Sequence, residues 1–303
     1  MVSSLASVIP AADRVRWSLE DVAAGVELLD VGRPFLPAAL VHADAKVAQD
    51  RPRLGLALNH LRAHGYLEVM GFLKRAVRPP LLGHAAPALF EDADDFWAVL
   101  RVAEGEAKHL ALFARFRAAV ETGFGAPLPR AEGGVERAAH VLAEEPLAVA
   151  LLALHVGYLA QEHYGRSQRD GGERDPCFDR LLKAHWQEQA VHARVVLRRL
   201  ALLRRDAPAH AVQRGFEGYG RLLRWLDARL GERVEADLET LGRLDVDLEG
   251  GLQAQLRADQ RASQRDVFLG AGIRHPQVQA AVREHFPRQI EGLRSLEASF
   301  DVR

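Results

Sequence analysis

Carboxylate and imidazole side chains recur at helical spacing in four separate stretches of this chain. Both are ligands that iron takes in proteins, and a glutamate three residues before a histidine lies on the same face of a helix. Two stretches carry a lone glutamate each, and two carry glutamate together with histidine. The seven residues are Glu68, Glu106, His109, Glu162, His185, Glu188 and His192. Their four carboxylates would balance two divalent ions, so the pattern predicts a site for two metal ions inside a helical bundle.

The last stretch leaves one ligand undecided. On a helical wheel, His185, Glu188 and His192 fall within about 60° of arc when each residue advances about 100°. A Glu-x-x-His pair ending at His192 would need a glutamate at position 189, where the chain has Gln189. Glu188 stands one position away and can bend toward the site. The sequence therefore leaves open which of these two side chains faces the metals.

Some of the candidate ligands can also be explained without a metal. A single Glu-x-x-His pair on a helix is commonly a solvated surface pair. Glu68 has apolar neighbours and could equally be a salt-bridge partner of Lys74 or of an arginine, because a buried carboxylate needs compensation. The order along the chain favours the metal: a lone glutamate, a glutamate–histidine pair, a second lone glutamate, and then a helix rich in histidine.

The composition excludes several other classes of function. The chain has 303 residues, with 40 basic and 41 acidic side chains, and this balance does not favour binding to nucleic acid or to an anionic membrane. Its single cysteine, Cys177, excludes an internal disulfide framework and fits a cytoplasmic protein. The segment Met1–Pro10 lacks the basic start of a signal peptide. The longest apolar stretch, Pro146–Ala160, is interrupted by His155 and Gly157 and predicts a buried helix.

An all-α fold is predicted because apolar residues recur at spacings of three and four and alternating runs are nearly absent. The predicted helices follow Ser18 and cover approximately 36–49, 52–77, 92–122, a short stretch ending at 145, 146–168 and 178–205, with a loop at 79–88. Further amphipathic helices are predicted after 209, separated near Gly231, Gly250–Gly251, Gly270–His275 and Pro287. We expect residues 1–206 to form the metal-binding bundle with its N-terminal helices, and residues 207–303 to form a helical extension that packs on it or makes a dimer contact.

The order and spacing of these residues resemble those of the ferritin-like di-iron oxygenases, and most of all the para-aminobenzoate N-oxygenase group. The likeness extends from Pro52 to Arg205. In that group a lone glutamate, here Glu68, precedes a Glu-x-x-His pair, a second lone glutamate, and a helix with an extra histidine one turn before its own Glu-x-x-His. Gln189 is the departure, since the family pattern has glutamate there. The resemblance implies a ferritin-like four-helix bundle core, with additional N-terminal and C-terminal helices, around a seven-ligand di-iron centre.

The function implied is that of a di-iron oxygenase. Two iron ions, with manganese as the other option, would activate dioxygen and N-oxygenate or hydroxylate a small organic substrate, supported by an electron donor. Glu106 and Glu162 are the candidates to bridge the ions. Two alternatives remain open: a non-enzymatic ferritin-like protein for iron handling or oxidant protection, and an all-α interaction protein whose site has decayed, with Gln189 as its first sign.

Overall fold

The computed structural model describes residues 17–41, 50–83, 93–244 and 250–300, and every regular element in these ranges is helical. The prediction of an all-α fold is therefore confirmed. The helices are α1 Leu19–Val22, α2 Ala38–Val41, α3 Pro52–Gly83, α4 Ala93–Gly123, α5 Gly134–Leu142, α6 Pro146–Asp170, α7 Pro176–Asp206, α8 Ala209–Gly242, α9 Gly250–Arg265, α10 Ala271–Arg274, α11 Pro276–His285 and α12 Ile290–Ala298. A π-helical turn, Asp266–Gly270, joins α9 to α10.

Four of these helices pack in a closed ring. Helix α3 contacts α4 and α6, and α7 contacts the same two helices from the other side. The ring is a helical bundle with an apolar centre, to which Leu61, Phe116, Leu154 and Leu181 contribute fully buried side chains. Helix α6 is buried at every position from Leu147 to Ala160 because α2, α8, α10 and α11 cover the faces that α3 and α7 leave. The prediction that this stretch is a buried helix is confirmed.

Local signals in the sequence set several helix ends. The Ser18 hydroxyl accepts a hydrogen bond from the backbone N–H of Asp21 at 3.0 Å, as predicted for the start of α1. The Asp175 carboxylate accepts from the N–H groups of Cys177 and Phe178 at the start of α7. Helix α6 ends at Gly171, whose φ of 64° lies in the left-handed region that glycine adopts readily.

Two predicted boundaries are wrong. Helix α3 does not stop at the Pro79–Pro80 pair but continues to Gly83. Proline has a φ compatible with a helix, but it lacks the N–H donor and crowds the carbonyl four residues earlier, and α3 ends three residues after Pro80. Gly231 does not separate two helices, because α8 runs through it. The guanidinium group of Arg261 on α9 lies against Gly231, so this glycine allows a close approach between helices.

Helix α8 covers the bundle from outside, since it packs against α3 and α6 and carries α9 on its other side. Two buried histidines of α6 hold the π-helical turn that follows α9. His155 and His163 each place Nε2 at hydrogen-bond distance from a backbone carbonyl of that turn, at 2.8 Å from Phe268 and 2.9 Å from Val267. The π turn thus has side-chain partners that the sequence does not reveal.

Three predicted features lie wholly or partly outside the described residues: all of the Met1–Pro10 segment, residues 42–49 of the 36–49 helix, and residues 84–88 of the 79–88 loop. Among the described helices, none by itself is long and apolar enough to cross a bilayer. Helices α5 and α6 reach that threshold only as a pair bent by 117°.

Candidate metal centre

Helices α4 and α7 face each other across the bundle and bring the histidine-bearing stretches together. Glu106, His109 and His192 each offer one ligand atom, and these three atoms lie within 4.8 Å of one another. The shortest approach is 2.8 Å, between Oε1 of Glu106 and Nδ1 of His192. Both histidines are buried, and the Glu106 side chain is 12% exposed. The group therefore unites ligands from two of the four predicted stretches.

Both side chains that the sequence left undecided point toward α4. The Nε2 amide of Gln189 donates to Oε1 of Glu106 at 2.8 Å and lies 2.9 Å from Nδ1 of His192. Glu188 reaches a different part of the cluster, where its Oε2 atom lies 3.1 Å from Nε2 of His109. Its other oxygen pairs with Lys108 Nζ at 2.8 Å. Gln189 therefore belongs to the Glu106–His192 side, and Glu188 belongs to the His109 side.

Three polar atoms at this site have no hydrogen-bond partner among the described residues. They are Nε2 of His109, Oε2 of Glu188 and Nε2 of His185. The first two are 3.1 Å apart but are not aligned for a hydrogen bond with each other. Buried polar groups without a partner are costly and uncommon in folded proteins. These atoms lie beside Glu106, His109 and His192. Lone pairs grouped in this way are suited to coordinate a metal cation.

A lysine from α3 enters the same cluster. The Nζ atom of Lys74 lies 2.7 Å from Oε2 of Glu106 and 3.4 Å from Nδ1 of His109. Its side chain is only 1% exposed. A buried ammonium requires a counter-charge, and Glu106 provides it. The structure thus adds a cation to a site for which the sequence predicted only ligands.

The buried charges shift the protonation equilibria in a consistent way. Burial acts to raise the pKa of the Glu106 carboxyl, but the charge of Lys74 and the neighbouring imidazoles of His109 and His192 outweigh it and hold that pKa well below its usual range. Burial, reinforced by the charge of Lys74, lowers the pKa of His109 to about 4. The same two causes, with His109 added, lower the pKa of His185 well below its usual value. Near neutral pH the cluster therefore contains an ionised Glu106 and neutral imidazoles at His109 and His185, the forms that bind metals.

Gly105 permits the close approach of α4 to α7. A Cβ atom at this position would lie 2.8 Å from Nε2 of His192 and 3.1 Å from Cδ of Glu188. Real Cβ contacts are essentially never that short, so any larger residue would displace a side chain of the cluster. Gly105 precedes the predicted ligand Glu106, but glycine inside a helical pattern is not by itself a signal for a site.

Aromatic rings surround the imidazoles. Trp17, from the segment before α1, stacks on His109 with ring centroids 5.5 Å apart, and Lys108 Nζ lies 4.6 Å from the Trp17 ring centroid. Phe113 meets His185 edge to face at 5.1 Å. These rings restrict the orientations of the imidazoles and limit the access of water. Trp17 was not singled out from the sequence, since it lies 92 residues before His109 along the chain.

The two lone glutamates do not join the group. Glu68 points away from it and pairs with Arg233 of α8, with 2.7 Å between Oε2 and Nη1. On α3, six residues separate Glu68 from Lys74, which turns the two side chains about 120° apart. Glu162 pairs with Arg166 at 3.0 Å and with Arg169 at 3.4 Å. Both carboxylates are compensated by arginines, so the predicted seven-ligand set is not assembled around one point.

Comparison with protein-family models, with curated proteins and with solved structures finds no match to this chain.

Proposed function

We propose that this protein is a metal-dependent oxidoreductase, which binds one transition-metal ion between α4 and α7 and uses dioxygen to oxidise a small organic substrate. Glu106, His109 and His192 would hold the ion. Iron is the metal we expect, because two imidazoles and one carboxylate with open positions form the donor set of many non-haem iron oxygenases. Such an ion would supply the site that binds dioxygen, and of the four electrons that dioxygen takes up, two would come from the substrate and two from an external donor.

One observation carries this proposal: the ligand atoms of Glu106, His109 and His192 converge within 4.8 Å in the interior of the bundle. The unpartnered atoms of His109, His185 and Glu188 beside them support it, since a bound cation would satisfy such lone pairs. We also propose that the bundle is ferritin-like, which is supported by the closed ring of α3, α4, α6 and α7 and by the position of the cluster between two of its helices.

The chain's own residues have defined tasks in this proposal. Glu106, ionised near neutral pH, contributes the negative charge, and Gln189 orients it through the 2.8 Å hydrogen bond to Oε1. His109 is held in place by stacking on Trp17, and a fixed imidazole ring preserves ligand geometry. We propose one ion rather than the two iron ions predicted from the sequence because Glu68 and Glu162, which the di-iron pattern requires, are engaged by arginines.

A metal-free all-α protein is the second candidate, and a specific observation favours it. Both carboxylates of the cluster already have a lysine partner, Lys74 for Glu106 and Lys108 for Glu188. Two carboxylates and two ammonium groups sum to zero charge, so the cluster does not need a cation for neutrality. In this case the site would be a polar network that specifies how α3, α4 and α7 pack.

Metal analysis of the purified protein separates the two candidates. After expression with added iron, we expect about one iron per chain for the wild type, and a large loss in the His109→Ala and His192→Ala variants. His210→Ala, at an exposed position on α8, is the matched control and should retain its metal. Circular dichroism should show that all variants remain helical. Absence of a transition metal from the wild type, with no oxygen consumption after anaerobic loading with ferrous iron, would support the metal-free candidate.

A further inference from the structure

We propose that the ammonium group of Lys74 takes the place of a second metal ion, so that Glu106 bridges one metal ion and one ammonium and the site holds a single metal. This inference rests on the proposed function, because it presumes that the cluster binds a metal. It assigns to Lys74 a role in setting the number of ions bound.

The two oxygens of Glu106 have different surroundings. Oε2 contacts Lys74 Nζ at 2.7 Å. Oε1 lies 2.8 Å from Nδ1 of His192 and accepts a hydrogen bond from Gln189. A carboxylate that joins two metal ions has one oxygen on each of them. Glu106 has the same division, with imidazole on one side and an ammonium on the other.

The surroundings of Nζ are those of a bound cation. Nζ lies 2.7 Å from a Glu106 oxygen, a donor that a divalent ion would use at this position. It also lies 3.4 Å from Nδ1 of His109. A neutral imidazole has one lone pair, which would bind the metal ion when the ion is present, so the Glu106 oxygen is the partner that Lys74 keeps. The side chain is 1% exposed, and removal of an ammonium from water is unfavourable without such partners.

The carboxylates that a second ion would need are engaged elsewhere. Helix α3 directs Lys74 toward the cluster and Glu68 toward Arg233, 2.7 Å away. Helix α6 directs Glu162 toward Arg166, 3.0 Å away. The other carboxylate of the cluster, Glu188, is already paired with Lys108 at 2.8 Å. A second divalent ion would therefore add two positive charges beside Lys74 without an uncompensated carboxylate to balance them. Repulsion between like charges in a buried site would exclude it.

Anaerobic titration with aqueous Co²⁺ tests this assignment, because the ion reports its ligands in its absorption spectrum. We expect one Co²⁺ per wild-type chain and two per chain in Lys74→Glu, which replaces the ammonium with a carboxylate. The paramagnetic resonance signal of the doubly loaded variant should be weakened by coupling between the ions. Lys74→Arg, which keeps the positive charge, should still bind one. Lys74→Met should bind the single ion at least about tenfold more tightly, because a repelling charge is removed.

Lys183→Met is the control for loss of a lysine. Lys183 is exposed on α7, two residues before His185. This variant should bind Co²⁺ with the wild-type stoichiometry and affinity. Two Co²⁺ in the wild type, or one in a helical Lys74→Glu, would overturn the role of Lys74 while leaving the metal site intact. If Lys74→Glu fails to fold, an unchanged dissociation constant in Lys74→Met overturns it instead. No Co²⁺ bound to the wild type would refute the proposed function, and this inference with it.

Discussion

Lys74 Nζ and Glu106 Oε2 form a 2.7 Å ion pair between α3 and α4, inside a cluster whose other members are imidazoles, a glutamine and a glutamate. The pair neutralises the carboxylate that stands closest to His192. It also joins a third helix of the bundle to the α4–α7 contact. The same interaction is therefore relevant both to the stability of the fold and to the charge available for a metal ion.

Removal of this lysine should destabilise the metal-free protein. In Lys74→Met the Glu106 carboxylate remains almost buried without its ammonium, and breaking such a pair typically costs about 3–5 kcal/mol. Urea denaturation in the presence of a chelator measures the change in the free energy of unfolding. Lys183→Met should be close to neutral by the same measurement. The double variant Lys74→Met/Glu106→Gln should recover part of the loss, and a loss below about 1 kcal/mol in the single variant would contradict a strong pair.

A methyl group at position 105 should disturb the cluster. Alanine is favoured over glycine in a helix by about 1 kcal/mol, so Gly105→Ala would stabilise the protein if space were available. Its Cβ would instead lie 2.8 Å from Nε2 of His192, and overpacking typically costs about 1–3 kcal/mol. We expect net destabilisation and weaker metal binding. Gly71→Ala is the control on α3, because its Cβ would meet only Phe113 at an ordinary 3.8 Å. If Gly105→Ala and Gly71→Ala stabilised the protein equally, the His192 side chain would have moved away from the new methyl group without a cost in stability.

Replacement of Gln189 by glutamate should have opposite effects with and without metal. In the metal-free protein, Gln189→Glu places a second carboxylate about where Nε2 now donates to Glu106 at 2.8 Å, and two like charges at that distance are destabilising. With a metal present, the added carboxylate is a further ligand. We expect a lower melting temperature in chelator and a lower dissociation constant for ferrous iron, relative to Gln187→Glu on the same helix. A higher melting temperature in chelator, or an unchanged or higher dissociation constant, would contradict the assignment of Gln189 to the Glu106–His192 side.

The lone glutamates should be dispensable for metal binding. Glu68→Gln and Glu162→Gln remove carboxylates that pair with Arg233 and Arg166, so we expect unchanged metal content by elemental analysis. Glu68→Gln should still lower stability, because it weakens a pair whose side chains are each only 9% exposed. Loss of metal from either variant, with native helicity, would restore that glutamate to the ligand set and favour the two-ion centre predicted from the sequence.

The histidines that hold the π-helical turn should make stability depend on pH. Burial lowers the pKa of both His155 and His163 to about 4, against about 6.5 in an unfolded chain. Above about pH 6.5 both histidines are neutral in the folded and in the unfolded protein, so their burial does not reduce the free energy of unfolding. Between about 6.5 and 4 only the unfolded state binds the proton, so each histidine reduces stability by about 1.4 kcal/mol per unit fall in pH.

Urea denaturation at pH 7.0 and about pH 5.5 measures this slope, and the difference between variants isolates one histidine from the others. His155→Gln cannot gain the proton, so its slope should be smaller than that of the wild type by about one proton. His210→Gln, at an exposed position, should keep the wild-type slope. An unchanged slope in His155→Gln would mean that the folded state accepts the proton, which the complete burial of His155 argues against.

The glutamate–histidine pattern could be recognised without the structure because it is local. Glu106 and His109 lie on one face of a helix because they are three residues apart. The three- and four-residue spacing of apolar side chains predicts long helices with buried faces, which are α3, α4, α6 and α7. The expectation that Glu106, His109 and His192 would meet came instead from the order of the four stretches and from the family resemblance.

Only the tertiary structure decided which polar residues of different helices meet. Lys74 and Glu68 both occur on α3 among apolar neighbours, and helical spacing alone does not tell which one faces α4. Their partners, Glu106 and Arg233, lie 32 and 165 residues away and approach only after α4 and α8 have packed. Helix rotation is set by the total burial of apolar area, to which each charged residue adapts. The sequence by itself therefore determined the helices and the helix faces that carry Glu106, His109 and His192, whereas packing brought α4 and α7 together, added a cation from α3 and left α6 without a ligand.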